Sequence, residues 1–483
     1  MAKPDGRLTH DLDPNDRPPR DACGVFGVWA PGEDVAKLAY YGLHALQHRG
    51  QESAGIAVSD GRRIVVHKEM GLVAQVFDEP SLTALRGDIA VAHCRYSTTG
   101  APVWANAQPT FRSTPTVSIA LGHNGNLTNT RELAGLLPPD SGFAGLQATS
   151  DTDVLTELIA AGAADEGGVE EASVRILPQV RGAYSLAFMD ENTLYAARDP
   201  QGFRPLVIGQ LANGWAVASE TAALDIVGAK FLREVEPGEF ITLDERGVRS
   251  RRFAPAVPKV CLFEYVYLAR PDTTIGGRGL HSTRVEIGRT LAAEYPADAD
   301  LVIGVPESGT PAAVGYAQES GIPYGQGLTK NAYVGRTFIQ PSQSLRQLGI
   351  RLKLNPLRET IAGKRLVVVD DSIVRGNTQR AVTRMLRAAG AAEVHVRISS
   401  PPVMWPCFYG IDFTTRRELI ASDLTVEQIR TSIEADTLGH ISLAGMVEAT
   451  GQDPGRLCLA CFNGTYPIVV PTTSTDRETG TGP

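Results

Sequence analysis

Two adjacent carboxylates stand between an apolar strand pattern and a helix pattern in the stretch VVVDDSIVRGNT, residues 367–378. Acids at the end of a strand can hold sugar hydroxyls or a divalent cation. A turn of small and hydroxyl residues that opens a helix directs backbone N–H groups at an anion, typically a phosphate. The stretch therefore predicts a site for a ribose 5-phosphate, with an acidic strand end and a solvated turn as the alternative. The residues that would form it are Asp370, Asp371, Ser372, Arg375, Gly376, Asn377 and Thr378.

A second turn of this kind occurs earlier in the chain. The run Pro306-Glu307-Ser308-Gly309-Thr310 ends an apolar strand pattern and opens another helix pattern, which predicts a second anion-binding turn beside the first. A long polar segment, residues 329–356, separates the two turns. Long connections inside compact domains are usually lids or disordered segments, and a solvated basic loop is the alternative. The basic residues of this segment are Lys330, Arg336, Arg346, Arg351 and Lys353.

Four cysteines lie in the second half of the chain, and the last two form the motif Cys-Leu-Ala-Cys. Two thiolates three residues apart on a turn can ligate one metal centre. Four cysteines suit zinc as well as an iron–sulfur cluster, so spacing leaves both open, and a redox-active pair is a third interpretation. The four are Cys261, Cys407, Cys458 and Cys461.

The composition excludes several classes of protein. The chain has 483 residues, 43% apolar and 21% charged, without a run of 18 uncharged apolar residues, which argues against both a disordered chain and a membrane span. Its net charge of −8 gives no basic footprint for nucleic acid or an anionic membrane. Six unevenly spaced cysteines do not form a disulfide framework, so we expect a reducing compartment, the cytoplasm.

The order of patterns along the chain predicts two folded parts. Residues 1–22 are polar and proline-rich and have no secretory core, so we expect a leader that is not a signal peptide. Grouped strand patterns with two helical interruptions predict an α+β domain over residues 23–255. From residue 256 to 470, apolar runs alternate with helices, which predicts an α/β domain with a parallel sheet and C-terminal helices. The tail, residues 471–483, is polar enough to be disordered.

Several of these motifs resemble known families. The Cys23-Gly24-Val25-Phe26-Gly27 start, with HALQHRGQESAGI, HCRYSTTG, GHNGNLTN and SDTD, is similar to the N-terminal-nucleophile (Ntn) glutaminase domain of class II amidotransferases, an αββα sandwich. The stretch VVVDDSIVRGNT resembles the phosphoribosyl-pyrophosphate loop of type I phosphoribosyltransferases. In this order, and from Cys23 to about residue 470, the two resemble the amidophosphoribosyltransferase family, in its iron–sulfur bacterial branch with a propeptide. The resemblance implies that glutamine, water and phosphoribosyl pyrophosphate give phosphoribosylamine, glutamate and pyrophosphate, the first committed step of purine synthesis.

The resemblance also implies roles for residues of the first domain. Cys23 is the nucleophile, and once the leader is removed its own α-amino group can act as the general base, because that amine has a pKa near neutrality. Asn124 and the N–H of Gly125, expected in a tight loop after a strand, stabilise the oxyanion. Arg95 binds the glutamine α-carboxylate and Asp153 the α-ammonium. The alternatives are an inert buried thiol, a surface arginine and a helix-capping aspartate.

In the second domain the resemblance assigns the turn that includes Glu307, Ser308, Gly309 and Thr310 to pyrophosphate, and the segment with Lys330 to a closing loop. It implies one Mg²⁺ held by Ser308, Asp370 and Asp371, and one [4Fe–4S] cluster held by the four cysteines of the second half. Cys94 has no matching role and is interpreted as a core thiol. The family's phosphate loop usually reads Arg-Gly-Thr-Thr, so Asn377 departs from it and removes a hydroxyl.

The family further implies purine nucleotides as inhibitors and a homo-oligomer, a tetramer or a dimer. Two other functions are alternatives to this one. Another amidotransferase would keep only the first domain, and the stretch from Asp370 to Thr378 argues against that. A purine-responsive repressor with the transferase fold would need a DNA-binding module and a basic face, and the net charge of −8 does not supply the latter.

Overall fold

The computed structural model describes residues 23–96, 102–137, 150–165, 167–331, 354–411 and 416–470. Within these ranges, the elements up to residue 252 build two antiparallel sheets with helices on their outer faces. The strands are β1 (Gly24–Trp29), β2 (Ser53–Ser59), β3 (Ile64–Met70), β4 (Ile89–Arg95), β5 (Thr110–Ser113), β6 (Ser118–Leu127), β7 (Gly182–Met189), β8 (Leu194–Arg198), β9 (Val207–Leu211), β10 (Gly214–Ala218), β11 (Lys230–Glu234), β12 (Glu239–Asp244) and β13 (Gly247–Arg252). The helices are α1 (Val35–Ala45), α2 (Val73–Val76), α3 (Glu79–Ala84), α4 (Thr130–Ala134), α5 (Asp151–Asp165), α6 (Val169–Ile176) and α7 (Thr221–Ile226), with 3₁₀ turns at Trp104–Asn106 and Leu177–Gln179.

The described strands pair in the orders β11-β9-β10-β1-β4-β2-β3 and β13-β12-β8-β7-β6-β5. Apolar side chains of the two sheets meet in one core, where Val25 and Val91 of the first sheet join Leu194 and Ile241 of the second. A second core lies between the first sheet and α1, and a third between the second sheet and α5 and α6. Each sheet is therefore apolar on both faces, which explains why central strands such as β2 and β7 are buried along their whole length, whereas the edge strands β3, β11 and β13 are partly exposed. The predicted αββα sandwich is confirmed.

The second part of the chain contains the predicted parallel sheet. Its strands are β14 (Val260–Cys261), β15 (Thr274–Ile275), β16 (Arg278–Gly279), β17 (Leu301–Gly304), β18 (Leu328–Lys330), β19 (Leu354–Pro356), β20 (Arg365–Asp370), β21 (Glu393–Ile398), β22 (Thr437–His440) and β23 (Leu457–Cys458). Its helices are α8 (Leu280–Glu294), α9 (Thr310–Ser320), α10 (Arg358–Ile361), α11 (Asn377–Ala388), α12 (Ile420–Asp423), α13 (Val426–Ser432), α14 (Leu443–Thr450) and α15 (Ala460–Asn463), with a π-helical turn at Glu264–Leu268 and 3₁₀ turns at Arg416–Glu418 and Pro454–Arg456.

Among the described residues, the parallel sheet has the order β17-β20-β21-β22. Val367 and Val369 of β20 pack in a core with α8 and α9 on one face, while Leu366 and Val368 pack with α11 on the other. Strand β22 lies inside the segment 416–450, which the sequence pattern indicates as helical. The four-residue strand Thr437–His440 is too short for its own pattern to show, and it forms because it pairs with β21. No helix of the described ranges is long and apolar enough to cross a membrane.

A buried ionic network joins the two parts. Arg49, just after α1, donates its Nη2 to Glu264 Oε2 at 2.7 Å and its Nε to Glu220. Arg204 donates its Nη1 to the other oxygen of Glu264 at 3.1 Å. All of these side chains are at most 1% exposed. Burial opposes the charge on Arg49, but Glu220 and Glu264 outweigh it and raise the pKa of the guanidinium above its usual value.

Candidate active sites

Cys23 lies immediately before β1, and its thiol is 5% exposed. Its Sγ donates to the carbonyl of Tyr96 at 3.2 Å and accepts from the Tyr96 N–H at 3.4 Å. Burial raises the pKa of this thiol to about 11, so the sulfur is protonated at neutral pH. A base must therefore remove the proton before the sulfur can act as a nucleophile.

Asn124 is fully buried at the end of the sandwich where the chain enters β1. Gly24 pairs with Cys94 in β4, and the neighbouring His93 contacts the carbonyl of His123 through its Nε2 at 3.0 Å. Asn124 is the residue after His123 in the sequence. Neither the nitrogen nor the oxygen of its carboxamide has a hydrogen-bond partner in the described ranges. A buried amide without partners costs free energy, which indicates that a ligand completes its hydrogen bonds.

The expectation that Asn124 and Gly125 lie in a loop is wrong. Both belong to β6, where Asn124 pairs with Ser185 and Gly125 with Tyr184 of β7. The strand continues because Gly125 adopts a φ of +150°, which L side chains rarely take. A Cβ on Gly125 would lie 2.0 Å from the carbonyl oxygen of Ala183, so the close pairing with β7 also excludes a side chain.

Arg95 is buried at the end of β4, where its Nη1 lies 3.9 Å from Glu52 Oε2. Asp153, in the first turn of α5, accepts from Ser150 Oγ at 2.5 Å and from Arg112 Nη2 at 3.1 Å. Asp151 was not predicted as a site residue, yet it lies near enough to Cys23 to raise the pKa of the thiol, whereas Arg95 lowers it. It is the first acid of the SDTD motif, so the motif carried the signal but did not distinguish its two aspartates.

The two turns that the sequence predicts to bind anions follow adjacent parallel strands of the second domain. Gly304 of β17 pairs with Val369 of β20, and the N–H of Val305 donates to the carbonyl of Val369 at 2.9 Å. The turns then touch, since a Cβ on Gly309 would lie 2.4 Å from Val369 O and 3.0 Å from Asp370 Cα. The helices α9 and α11 begin directly after the two turns. Both helix N-termini thus point at the edge of the sheet where the carboxylates lie, as predicted from the sequence.

Asp370 and Asp371 are both buried at the end of β20. Burial first, and the neighbouring Asp371 second, raise the pKa of Asp370 well above its usual value. Gln379 of α11 donates its Nε2 to Asp370 Oδ2 at 2.5 Å, and Ser372 Oγ donates to Asp371 Oδ2 at 2.5 Å. Gln379 was not predicted as a site residue, because the sequence marks only the start of α11 and does not show that the Gln379 side chain reaches back to Asp370.

The other predicted residues of the two turns follow the carboxylates in the sequence or lie in the neighbouring turn. Gly376 directly precedes α11 and has a φ of +81°, a left-handed conformation that glycine adopts more easily than other residues. The backbone nest, the concave group of N–H groups at this turn, therefore begins at a position that favours glycine. Asn377 and Thr378 are the first residues of that helix. Lys330, at the end of β18, lies with its Nζ 3.5 Å from Glu307 Oε2. Of the expected closing loop, Arg336, Arg346, Arg351 and Lys353 lie outside the described residues.

The four cysteines of the second half come together. Cys261 of β14 pairs in register with Cys458 of β23, although 197 positions separate them in the sequence. Burial raises the pKa of Cys261 to about 11 and also raises the pKa values of Cys458 and Cys461. The neighbouring cysteines of the four raise these pKa values further, which shows that the four thiols lie near one another. Met404 and Trp405 donate their N–H groups to the carbonyl of Cys461, which brings the segment of Cys407 beside it. In the described part of the chain, no three His, Cys, Asp or Glu side chains are placed so that they could hold a metal ion.

Comparison with known proteins follows the same division of the chain. Residues 93–226 match the family model of the glutamine amidotransferase domain, and residues 282–399 match that of the phosphoribosyl transferase domain. The chain is 66% identical to amidophosphoribosyltransferase of Mycobacterium bovis over 474 residues, which covers 96% of this chain and 89% of that one. It is 48% identical to amidophosphoribosyltransferase of Bacillus subtilis, covering 93% and 95% of the two chains.

A solved structure resembles the chain over nearly its whole length. It is glutamine phosphoribosylpyrophosphate (PRPP) amidotransferase from B. subtilis complexed with ADP and GMP, with a TM-score of 0.85 and 47% identity over 92% of this chain and 97% of that one. Both domains and their order are thus shared with these relatives. The chain belongs to the amidophosphoribosyltransferase family.

Proposed function

We propose that this chain hydrolyses glutamine at Cys23 and passes the ammonia to phosphoribosyl pyrophosphate, giving 5-phosphoribosylamine, pyrophosphate and glutamate. This reaction is the first committed step of de novo purine (IMP) synthesis. One observation carries the proposal: the same chain combines a fully buried, unpartnered carboxamide near a buried thiol with two anion-binding turns on adjacent parallel strands. The first arrangement suits an acyl transfer and the second a transfer of a phosphorylated ribosyl group.

The glutaminase reaction begins with the thiol of Cys23. We place the chain start of the mature enzyme at this residue, so that its α-amino group can take the thiol proton. The sulfur then attacks the carboxamide carbon of glutamine, and Asn124 Nδ2 and the Gly125 N–H stabilise the oxyanion. When this intermediate collapses, the α-ammonium of Cys23 gives its proton to the leaving nitrogen, and ammonia is released. Water then hydrolyses the thioester to glutamate and restores the thiol. Arg95 would hold the α-carboxylate and Asp153 the α-ammonium, with Asp151 of the same motif as the second candidate.

In the second domain the turns would hold the substrate in place for attack by ammonia at C1 of the ribose. The turn of Arg375, Gly376, Asn377 and Thr378 would bind the 5-phosphate, and Asp370, Asp371 and Ser372 would face the ribose. Glu307, Ser308, Gly309, Thr310 and Lys330 would bind the pyrophosphate that leaves. The backbone N–H groups of the nest do not depend on the hydroxyl that Asn377 lacks.

The residues present fit a magnesium ion. Two buried acids stand side by side, and the raised pKa of Asp370 shows that the site disfavours two uncompensated negative charges. Ser308, Asp370 and Asp371 would hold Mg²⁺, which when bound would neutralise charge on the pyrophosphate.

The four cysteines of the second half lie near one another, but in the described structure they are not placed to hold a metal ion, so the proposal of an iron–sulfur centre rests on their residue type and proximity. Burial raises the pKa values of Cys261, Cys458 and Cys461, and a metal centre would take the place of their protons. The segment of Cys407 lies beside them, next to β14 and β23. We propose that Cys261, Cys407, Cys458 and Cys461 hold one [4Fe–4S] cluster. Its role would be structural, because the reaction requires no electron transfer and the cysteines connect the start of the second domain to its end.

Nucleotide inhibition and assembly are proposed on similar grounds. A turn that binds the 5-phosphate of a ribose would also accept the 5′-phosphate of a purine nucleotide, and the B. subtilis structure is a complex with ADP and GMP. Purine nucleotides would therefore compete at this turn. The family resemblance adds a homo-oligomer, a tetramer or a dimer, and the cytoplasm as its location.

Replacing Cys23 tests the glutaminase assignment. In Cys23→Ala, glutamine-dependent synthesis should fall by ~10⁴-fold or more, since the nucleophile is lost, while synthesis from added ammonia should persist. Both rates are measured as pyrophosphate release, and N-terminal sequencing of the unaltered protein should begin at Cys23. Cys94→Ala removes a neighbouring buried thiol and should retain glutamine-dependent synthesis. Normal glutamine turnover in Cys23→Ala would refute the assignment.

Neutralising the acid pair tests the transferase site. In Asp370→Asn with Asp371→Asn, synthesis should fall by about 100-fold or more with glutamine and with ammonia alike, because both nitrogen sources use the same ribosyl site. Binding of phosphoribosyl pyrophosphate with Mg²⁺, measured by calorimetry, should weaken in parallel, and glutamine hydrolysis should persist. Asp298→Asn changes an exposed acid at the opposite end of the sheet and should affect neither rate. Ammonia-dependent synthesis near the normal rate in the double variant would show that the assignment is wrong.

Metal analysis tests the cluster. Protein prepared without oxygen should be coloured and hold about four iron atoms per chain. Cys458→Ser should lose most of the iron, whereas Cys94→Ala should keep it. Exposure to air should remove the colour and inactivate the enzyme before it aggregates. One zinc ion and no iron in the anaerobic protein would contradict the cluster, without bearing on either active site.

A further inference from the structure

Residues 408–410, which directly follow Cys407, lie against the strand that carries Asn124 and Gly125. The side chain of Asn126 donates its Nδ2 to the carbonyl of Phe408 at 3.0 Å, across 282 positions of sequence. A Cβ on Gly410 would lie 3.2 Å from both Cα and C of Gly125. The second domain thus touches the backbone of one residue assigned to the oxyanion and holds the side chain of the next.

The same segment is itself held firmly. Arg204 donates its Nε and Nη2 to the carbonyl of Tyr409 at 2.9 and 2.7 Å. The ring of Tyr409 stacks on Phe203 with 4.3 Å between ring centroids. Arg204 is fully buried and also bound to Glu264. Because the anchor is a buried guanidinium with a fork of donors, residues 408–410 have little freedom to shift relative to the first domain.

Gly125 needs such support from outside. Glycine has no side chain to fix its backbone, and it loses more conformational freedom on folding than any other residue. An oxyanion donor nevertheless has to be placed accurately, since displacements of about 1 Å can cost up to a hundredfold in rate. Gly410 contacts the backbone of Gly125, and Phe408 accepts from the side chain of the next residue, Asn126. Both contacts therefore restrict the part of β6 that carries the assigned oxyanion donors.

We propose that Asn126 is a positioning residue for glutamine hydrolysis, and that it works by fixing β6 to residues 408–410 of the second domain. Glutamine hydrolysis in the first domain then depends on the segment that follows Cys407. The inference rests on the proposed roles of Asn124 and Gly125, and Asn124→Ala tests those roles separately.

Two variants of Asn126 test the inference. Asn126→Ala removes the donor, and Asn126→Asp keeps the size but places an oxygen against the carbonyl of Phe408. Each should lower kcat for glutamine hydrolysis by about tenfold, with KM for glutamine within about twofold, because the change acts on the oxyanion and not on the glutamine α-groups. Ammonia-dependent synthesis and the rate of Cys23 alkylation by iodoacetamide should be unchanged. The control is Asn129→Ala, which removes a 3.0 Å Nδ2 bond to the carbonyl of Gln179 and the Oδ1 acceptor of the Arg181 N–H, both inside the first domain, and should leave kcat within about twofold.

The second domain offers an independent test if the Asn126 variants fold poorly. Gly410→Ala places a methyl group against Gly125 and should lower the same kcat with KM and ammonia-dependent synthesis retained. Gly390→Ala introduces a side chain at nearly the same φ, +100° against +102° at Gly410, with its nearest atom at an ordinary contact distance of 3.4 Å, and controls for the strain alone.

The outcomes separate the possibilities. A normal kcat in the Asn126 variants and in Gly410→Ala would overturn the inference, and so would an equal loss of ammonia-dependent synthesis, which would show general destabilisation. If Asn124→Ala itself hydrolyses glutamine normally, the oxyanion assignment fails instead.

Discussion

The contacts of Glu264 with two buried arginines hold the two domains of this chain together. Arg49 and Arg204 belong to the first domain and Glu264 to the second, and Glu220 compensates the remaining charge. Burying such groups is costly, and removing one partner of a buried ion pair typically destabilises a protein by about 3–5 kcal/mol. The network is thus favourable only when both domains are docked, which makes the docked arrangement specific.

Both active regions are connected to this network. Arg49 lies close enough to Cys94 to lower its pKa, and Cys94 is the register partner of Gly24, the residue after Cys23. Arg204 donates to the carbonyl of Tyr409, in the segment after Cys407. Cys261 and Cys407 lie near enough to raise the pKa of its guanidinium. Within the second domain, Arg284 donates to the carbonyls of Tyr265 and Ala269, close to Glu264 in the chain. Asp371 lies near enough to Arg284 to raise the pKa of its guanidinium, although burial lowers that pKa more strongly. Residues of one interface therefore lie near the four cysteines of the second half and near both candidate active sites.

Local patterns in the sequence predicted the parts of these sites that local physics determines. The acids at the end of β20 and the two glycine-containing turns were predicted because a strand, a turn and a helix start are all coded within a dozen residues. The conformation of Asn124 and Gly125 was not, because the glycine signals a turn locally while pairing with β7 keeps the strand going. The contact of Asn126 with Phe408 and that of Arg49 with Glu264 join residues more than 200 positions apart, so no local pattern records them.

The most direct test of this account is the fate of ammonia in Glu264→Gln, which keeps the shape of the side chain but removes the charge that pairs both arginines. The ratio of free ammonia to phosphoribosylamine formed from glutamine is measured together with the thermal unfolding midpoint. If the network holds the two sites in register, this ratio should rise and the midpoint should fall relative to the unaltered enzyme. An unchanged ratio with an unchanged midpoint would contradict the central role given to Glu264.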